Sequence, residues 1–333
     1  MKISLLCKTE TELHDWSRFV INHPDGNFFQ SPDLFNIYHN TKNHKPICII
    51  GKDSDGNILA ILLAVIIKNF KWGLENYTTR SIIQGGPLIL EDNPTHFIKI
   101  INYYEKFIKD KVVYTQYRNM KNMLAYKPVF TEHKYSYEEH LNIIIDLNKS
   151  REKLWKEMNG KRRNSIRKAM KSNIIIKIKN DIKSVKNSYR VLKSVYRNAK
   201  IPLADESFFL SLFYNNNDNY KAINFCAVYD NKIIGCMIVI AYKNRVYDLY
   251  AGSERKHYKK NPNDLIPWTV MLWSKENNYK IFDFGGAGKP NKEYGVRDYK
   301  KKFGGNLVNY GRLQKIHQPR NYKLAKFVYS LIK

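Results

Sequence analysis

Three sets of polar residues in this sequence could do chemistry. Arg163 and Arg167 are four residues apart on a predicted helix, so they share a face, and two guanidinium groups can hold a phosphate between them. Lys300 lies in a short basic helix, where a fixed cation can stabilise an oxyanion that develops during acyl transfer. Asp283 ends a strand before a glycine-rich turn and is a candidate general base. Each also has a plain structural interpretation, as part of a solvated helix face or as a buried strand-end carboxylate.

Motifs for other chemistries do not occur in the sequence. The four cysteines come no closer than the ten residues between Cys226 and Cys236, and no Cys/His cluster has metal-ligand spacing, which predicts a reduced, metal-free protein. The glycine-rich stretch after Asp283 is neither a phosphate-binding P-loop nor a dinucleotide fingerprint. Acyl transfer from an activated ester needs only an oriented amine and a stabilised oxyanion, so no catalytic Cys or Ser-His-Asp set is required.

The charge of the chain is strongly positive. Lys and Arg number 57 against 30 acidic residues, which gives a formal net charge of +27. Such a field attracts nucleic acid, anionic membranes or phosphorylated substrates. A lysine-rich coding bias explains a solvated coat of lysines equally well, so only the clusters of basic residues carry an argument.

Length and patterning indicate two α/β domains. A chain of 333 residues exceeds one average domain of about 100–200 residues. The longest uncharged apolar run, Ile58 to Ile67, is much shorter than the ~20 residues of a membrane-spanning helix. Lys8 and Glu10 interrupt the place where a secretory signal would continue, so we expect a cytoplasmic protein.

The order hairpin, strand, helix, strand, which is typical of acyltransferases of the GNAT type, is read twice along the chain. We therefore predict one domain over residues 1–148, closed by a strand at Leu141 to Asp146. A second domain over 149–314 opens with a basic helix at Ser150 to Lys171 and ends with a strand at Leu307 to Gln314. A C-terminal helix over 315–333 is expected to pack back on the first domain.

Several motifs together resemble those of the Fem-type (FemABX) aminoacyltransferases, which add amino acids to peptidoglycan precursors. Their order along the chain matches the family pattern: Arg163 to Ala169, Tyr250 to Ser253, Pro262 to Leu265, Asp283 to Gly285, and Tyr299 to Gly304. The N-terminal Phe28 to Pro32 is similar to the family's opening helix. Tyr299 replaces the usual Phe, and no coiled-coil insert occurs between residues 180 and 225, so the chain resembles the compact members.

The resemblance implies two tandem GNAT-like domains with mixed sheets and no coiled-coil arm. It implies an aminoacyltransferase that moves an amino acid from aminoacyl-tRNA to a UDP- or lipid-linked muropeptide, without a bound cofactor. In this interpretation Lys300 and Asp283 are the catalytic residues. The substrate-binding residues are Arg163, Arg167, Tyr250, Ser253, Asn263, Arg297 and Tyr299. The partners are aminoacyl-tRNA and the precursor, and an anionic membrane at the inner face is a further candidate partner.

Two other functions remain open at this point. One is an acyl-CoA-dependent N-acyltransferase that acts on a cell-envelope sugar or lipid. The wider superfamily binds the pyrophosphate of CoA with a glycine-containing loop, but Ser253 to Tyr258 has no glycine pair in that place. The other is a non-catalytic RNA- or membrane-binding protein, for which the sequence has no RNA-recognition motif or zinc knuckle.

Overall fold

The computed structural model describes residues 1–6, 10–68 and 78–332. The chain divides into two compact units, one formed by Met1–Glu139 with Tyr310–Lys333 and one by His140–Asn309. The first boundary therefore lies before the predicted position at 148/149, and the first unit resumes at Tyr310 instead of residue 315. Cys7 and Lys333 lie outside the described residues.

The elements alternate along the chain as expected for α/β units. The helices are α1 (Glu10–Asn22), α2 (Pro32–His39), α3 (Pro94–Ile108), α4 (Lys127–Glu132), α5 (Arg151–Glu157), α6 (Gly160–Met170), α7 (Ile182–Asn198), α8 (Glu206–Tyr214), α9 (Pro262–Glu276), α10 (Gly295–Lys301) and α11 (Pro319–Ile332). The strands are β1 (Lys2–Leu5), β2 (His44–Lys52), β3 (Ile58–Ile67), β4 (Arg80–Gln84), β5 (Leu88–Ile89), β6 (Tyr114–Arg118), β7 (Ser136–Glu138), β8 (Leu141–Asp146), β9 (Ile175–Ile178), β10 (Tyr220–Tyr229), β11 (Lys232–Tyr242), β12 (Arg245–Ser253), β13 (Ile281–Gly286), β14 (Asn306–Asn309) and β15 (Arg312–Ile316).

The first unit is built on a mixed sheet in the order β1-β2-β3-β4-β6-β15-β7, and β5 pairs with β3. The ten apolar residues of β3 are almost all buried because helices cover the sheet. Strands β2 and β3 form a hairpin, as the turn residues between two apolar runs predict, and Asp53 closes its turn by accepting hydrogen bonds from the backbone N–H groups of Asp55 and Asn57. Gly56, at φ +88°, supplies the left-handed residue that this turn requires.

The N-terminal motif Phe28 to Pro32 has a structural role in the first unit. The buried side chain of Gln30 donates to the carbonyls of Leu63 and Gln84 and accepts from the Leu63 N–H. It therefore satisfies backbone groups of β4 and of β3, at a position of β3 between the residues that pair with β4 and those that pair with β5. Ser31 then caps α2 by accepting from the Leu34 N–H, as its position before Pro32 predicted.

The second unit has a sheet in the order β14-β8-β13-β12-β11-β10-β9. Asp230 and Asn231, both with positive φ, turn β10 into β11, as an Asp-Asn pair between two apolar runs predicts. The strand predicted at Leu141 to Asp146 is present, but its assignment to the first unit was wrong, and two other predicted elements were also wrong. Strand β8 pairs with β13 and β14 and so belongs to the second sheet. The predicted long basic helix is two helices, α5 and α6, and the predicted strand at 307–314 is split between β14 in one sheet and β15 in the other.

Each sheet contains one pair of parallel strands, and the two pairs differ in length. In the first unit β4 and β6 pair over five positions, from Arg80 opposite Tyr114 to Gln84 opposite Arg118. In the second unit β12 and β13 pair only over the three positions that end at Tyr247 opposite Asp283. Both strands continue beyond this point, β12 to Ser253 and β13 to Gly286. They therefore part in the middle of the second sheet.

The described ranges contain no helix that combines the length and the hydropathy needed to cross a bilayer. The same residues contain no group of three or more His, Cys, Asp or Glu side chains placed to hold a metal ion.

Candidate functional site

Lys300 fills the gap where β12 and β13 part. It extends from α10, and its Nζ donates to the carbonyl oxygens of Phe284 and Gly286 on β13. On the β12 side the same Nζ lies 3.6 Å from Oδ2 of Asp248. Carbonyl groups that lack a strand partner need another donor, and the ammonium group supplies it. Ligands commonly bind at the carboxyl ends of parallel strands, so this gap is the candidate active site of the second unit.

Charges alternate across the gap. Arg245 Nη1 lies 3.5 Å from Oδ2 of Asp283, whose Oδ1 accepts a 2.8 Å hydrogen bond from the Gly285 N–H. The side chain of Asp283 is 3% exposed, whereas those of Asp248, Lys300 and Arg245 are 9%, 13% and 23% exposed. Asp283 is therefore the most enclosed member of the cluster, whereas solvent or a substrate can reach Arg245 and Lys300 and, to a smaller extent, Asp248.

Burial raises the pKa of Asp283 and of Asp248, because desolvation disfavours their charged forms. Arg245 chiefly opposes this shift for Asp283, and Lys300 opposes it for Asp248, but neither cation reverses it. A carboxyl group whose pKa is higher in the folded state binds protons more tightly there than in the unfolded chain. Its contribution to stability is therefore greatest below the ordinary Asp pKa and is lost as the pH rises through the raised value.

The direction of this change in stability with pH can be tested in the Asp283→Asn variant. As the pH rises from 4 to 7, the unfolding free energy of the variant minus that of the parent should become more positive, because the parent alone loses stability at this site. Urea unfolding at matched pH values measures the difference, and carboxyl groups elsewhere cancel in the subtraction. A difference that becomes more negative over this range would mean that pairing with Arg245 outweighs burial.

Gly285 has a conformation that suits glycine. Its φ is +71°, a value that other residues rarely adopt. A Cβ at this position would also lie 3.9 Å from Lys300 Nζ and 3.7 Å from the Asp248 carbonyl oxygen. The Asp-Phe-Gly motif thus lets β13 turn while it keeps its backbone close to the ammonium group.

A relay of hydrogen bonds fixes α10, and with it Lys300, to the end of β12. Ser253 Oγ donates to Oδ1 of Asn263 at 2.6 Å, and the Tyr299 hydroxyl donates to the Asn263 carbonyl oxygen. Burial raises the pKa of the Tyr299 hydroxyl, which keeps it protonated as a donor. Gly235 permits this packing, because a Cβ there would lie only 2.4 Å from Ser253 Oγ. These three predicted substrate-binding residues are thus brought together as positioning residues, and their contact with a substrate stays a prediction.

Arg162, which the sequence analysis did not select, supports the same helix. It is buried, forms an ion pair with Asp264, and stacks its guanidinium 4.5 Å from the Tyr299 ring centre and 4.6 Å from that of Phe303. Its neighbour Lys161 is exposed. Arg162 lies within the basic run that begins at Lys161, so the sequence shows that this helix is cationic. It does not show which cation is buried, because the partner of Arg162 lies far along the chain.

Arg163 has a role that the sequence analysis did not predict. Its Nη1 donates to the carbonyl oxygens of Trp155, Lys156 and Met158, at 3.3, 2.9 and 2.7 Å. These carbonyls end α5, where no further helical turn supplies donors. Arg167 is exposed, donates to Asn164 Oδ1 and lies 5.3 Å from the Trp155 ring centre. Arg163 therefore caps α5, and the binding of an acceptor anion by both arginines stays a prediction.

The capping geometry predicts unequal effects of alanine substitution. Arg163→Ala should lower the unfolding free energy by about 1.5–3 kcal/mol, the scale of hydrogen bonds from a charged donor. Arg167→Ala should cost no more than about 1 kcal/mol, because it removes an exposed contact with Trp155. Urea unfolding and acceptor affinity are measured on both variants. Unchanged stability together with an equal loss of acceptor affinity would contradict the capping role.

Arg297 and Tyr250 are also placed by local packing. Arg297 donates to the carbonyl oxygens of Lys289 at 2.5 Å and Lys292 at 2.6 Å, so it braces the loop between β13 and α10. Tyr250 lies on β12 with its ring centre 4.9 Å from that of Phe209 and 5.8 Å from that of Tyr196. Their predicted role in binding a substrate stays a prediction.

A cavity of about 330 Å³ lies beside the end of β12. It is lined by residues from the C-terminal half of α7 and from the segment after β12: Ser194, Val195, Asn198, Ala199, Glu254, Arg255, Lys256 and Tyr258. Residues 255–260 of this segment form a 3₁₀ helix instead of a glycine loop. No pattern in the residues of this segment predicts the cavity, because its other wall comes from α7.

Two mixed sheets, each with one parallel pair and covering helices, are the architecture of a tandem GNAT protein. The structure of FemX is similar, with a TM-score of 0.70, 14% identity and coverage of 96% of this chain and 99% of that chain. The structure of L-PGS from Bacillus licheniformis is similar with a TM-score of 0.56 and 14% identity, and the match covers 96% of each chain. A tandem GNAT protein from the clavulanic acid biosynthesis pathway is similar with a TM-score of 0.58 and 9% identity, and the match covers 95% of this chain and 99% of that chain. The predicted fold class is thus confirmed.

The model of the FemAB family matches residues 214–330. The matched segment contains Asp248, Asp283, Lys300 and the relay through Asn263, so the resemblance to the Fem-type family is confirmed over this segment. No curated protein sequence matches this chain. The family match and the fold together support a transferase of acyl groups.

Proposed function

We propose that this chain moves an amino acid from aminoacyl-tRNA to an amine of a peptidoglycan precursor, carried on UDP or on a lipid. The observation that supports this most directly is the ammonium group of Lys300 beside Asp248, held where the parallel strands part and inside the segment that matches the FemAB family. Because aminoacyl-tRNA is a cytoplasmic donor, the proposal places the reaction in the cytoplasm.

The proposed reaction is an aminolysis of an ester. The acceptor nitrogen forms a bond to the aminoacyl carbonyl carbon, the ester C–O bond breaks, and the 3′-terminal oxygen of the tRNA leaves as a hydroxyl group. The proton that this oxygen gains is balanced by the one that the amine loses. No oxidant, reductant or metal is needed for this balance.

The residues of the gap have distinct proposed roles. Lys300 would stabilise the negative charge that develops on the carbonyl oxygen. Asp248 would accept the amine proton, because its carboxyl group is more accessible than that of Asp283 and its raised pKa makes it a better base than a free Asp. Asp283, the base candidate from the sequence, would instead hold Arg245 and the Gly285 turn.

Label transfer tests the function. The protein is incubated separately with radiolabelled aminoacyl-tRNA or acetyl-CoA, each in the presence of UDP-linked muropeptide, lipid-linked muropeptide or phosphatidylglycerol. We expect label on a muropeptide from aminoacyl-tRNA alone, with Asp248→Asn strongly impaired. Transfer from acetyl-CoA, or label on phosphatidylglycerol alone, would replace the proposal by another acyl transfer on the same fold.

A further inference from the structure

The outer face of α7 carries a continuous row of cations. Its members are Lys183, Lys186, Arg190, Lys193 and Arg197, and all are exposed. They follow one another at intervals of three and four residues, which places them within about 80° of arc over a length of about 21 Å. The helix contains no Asp or Glu, although like charges at this spacing repel each other. We call this row the α7 stripe.

Coding bias toward lysine does not explain the α7 stripe. The helices α1 and α3 are of comparable length and also present one face to solvent. Among their exposed residues α1 has a single cation, Arg18, and α3 has two, Lys99 and Lys106. A uniform coat of lysines would distribute cations over all three helices, whereas they are concentrated on α7.

The C-terminal end of the α7 stripe lies beside the candidate site. Val195 packs against Gly252 of β12, where a Cβ would come within 3.0 Å of Val195 Cγ1, and Tyr196 contacts Tyr250. The cavity of about 330 Å³ opens at this end and adds Arg255 to the cations of the stripe, while Lys256 in the same lining pairs with Glu254 at 3.1 Å. A polyanion bound along α7 would therefore reach the end of β12.

We infer that the α7 stripe binds the sugar-phosphate backbone of the donor RNA and directs its aminoacylated end toward the gap at Lys300. This inference rests on the proposed function. A rigid row of cations suits a chain of regularly spaced phosphates. A membrane is disfavoured as the partner because the apolar residues of α7, such as Val185, Val191 and Leu192, are buried, which leaves the exposed face without side chains to insert into lipid.

The test measures binding of unfractionated deacylated tRNA, without any transfer reaction. A stripe variant replaces the five cations with Gln. A matched control variant replaces five exposed lysines elsewhere in the second unit with Gln, so that the net charge is the same: Lys153, Lys156, Lys177, Lys221 and Lys232. Circular dichroism and urea unfolding confirm that both variants are folded. Vesicles of phosphatidylglycerol and phosphatidylcholine serve as the membrane probe.

Five phosphate contacts should make the affinity of the parent fall by about 100- to 500-fold between 50 and 200 mM salt through the stripe alone. The stripe variant should lose this component, so that its slope of log affinity against log salt is shallower by about 3.5–4.5, while the control variant keeps the parent slope within about 1. The inference would be overturned if the stripe variant bound tRNA as tightly as the parent. It would also be overturned if the five substitutions weakened binding to vesicles but not to tRNA.

The outcomes separate this inference from the proposed function. If the stripe variant transfers amino acids at the same rate as the parent, the α7 stripe does not bind the donor RNA, and the proposed function stands. If the five substitutions weaken tRNA binding but the parent transfers no amino acid to a muropeptide, the inference about the α7 stripe stands and the proposed function is rejected.

Discussion

Replacing Lys300 with Met should lower turnover by about 10²-fold or more, whereas Lys301→Met and Lys302→Met should each cost less than about tenfold. The structure supports this contrast, because Lys300 bridges the parted strands beside Asp248 while Lys301 and Lys302 are exposed. A preorganised cation that stabilises an oxyanion is worth about 2.7–4 kcal/mol in the transition state. Solvated neighbours act only through the general attraction of a polyanionic donor.

The loss must be separated from a loss of folding, because Lys300→Met leaves the Asp248 carboxylate without its cation. The double variant Lys300→Met with Asp248→Asn removes that buried charge and should regain stability relative to Lys300→Met. Its turnover should stay low, since it lacks both the cation at the reacting carbonyl group and the proposed base. Turnover is measured per folded protein, from label transfer and urea unfolding. Recovery of turnover in the double variant would show that Lys300 acts only by holding the strands together.

Arg162→Ala should lower the unfolding free energy by about 3–5 kcal/mol, the cost of removing one partner of a buried ion pair. The substitution leaves Asp264 buried without its cation and removes the guanidinium that stacks on Tyr299 and Phe303. The exposed neighbour provides the control, and Lys161→Ala should stay within about 0.5 kcal/mol of the parent.

The double variant Arg162→Met with Asp264→Leu should recover much of this loss, because an apolar pair of similar volume avoids an unpaired buried charge. Urea unfolding followed by tryptophan fluorescence gives the free energies. Equal stability of Arg162→Ala and Lys161→Ala would contradict the role of the ion pair.

Local patterns predicted the helices and strands of this protein better than they predicted the sheet to which each strand belongs. The Asp230-Asn231 turn and the Ser31 cap depend on neighbouring residues and were correctly read. Strand β8 was assigned to the wrong unit because its own residues show that it is a strand but do not show which sheet it joins. That depends on its pairing with β13 and β14, which come much later in the chain.

The residues of the candidate site were also predictable only where a local motif marks them. Lys300 was selected because its motif is local, with an aromatic residue before it and Phe303-Gly304 after it. Asp248 was missed because nothing near it in the sequence indicates a partner, and only the parting of β12 and β13 brings Lys300 to it. Arg163 was selected for the right charge, but its partners are backbone carbonyls, which every residue has and no pattern reveals.

The position of β15 affects how the protein is made. This strand lies between β6 and β7 in the first sheet and pairs with both, yet it follows the whole second unit in the chain. During synthesis the second unit, which is continuous, has all of its strands before the first sheet receives its last one. Until then the facing edges of β6 and β7 have unpaired backbone groups, and exposed edges of this kind promote aggregation. The domain that begins first on the ribosome is therefore the last to be completed, and a chain interrupted before Arg312 would present an open sheet to its neighbours.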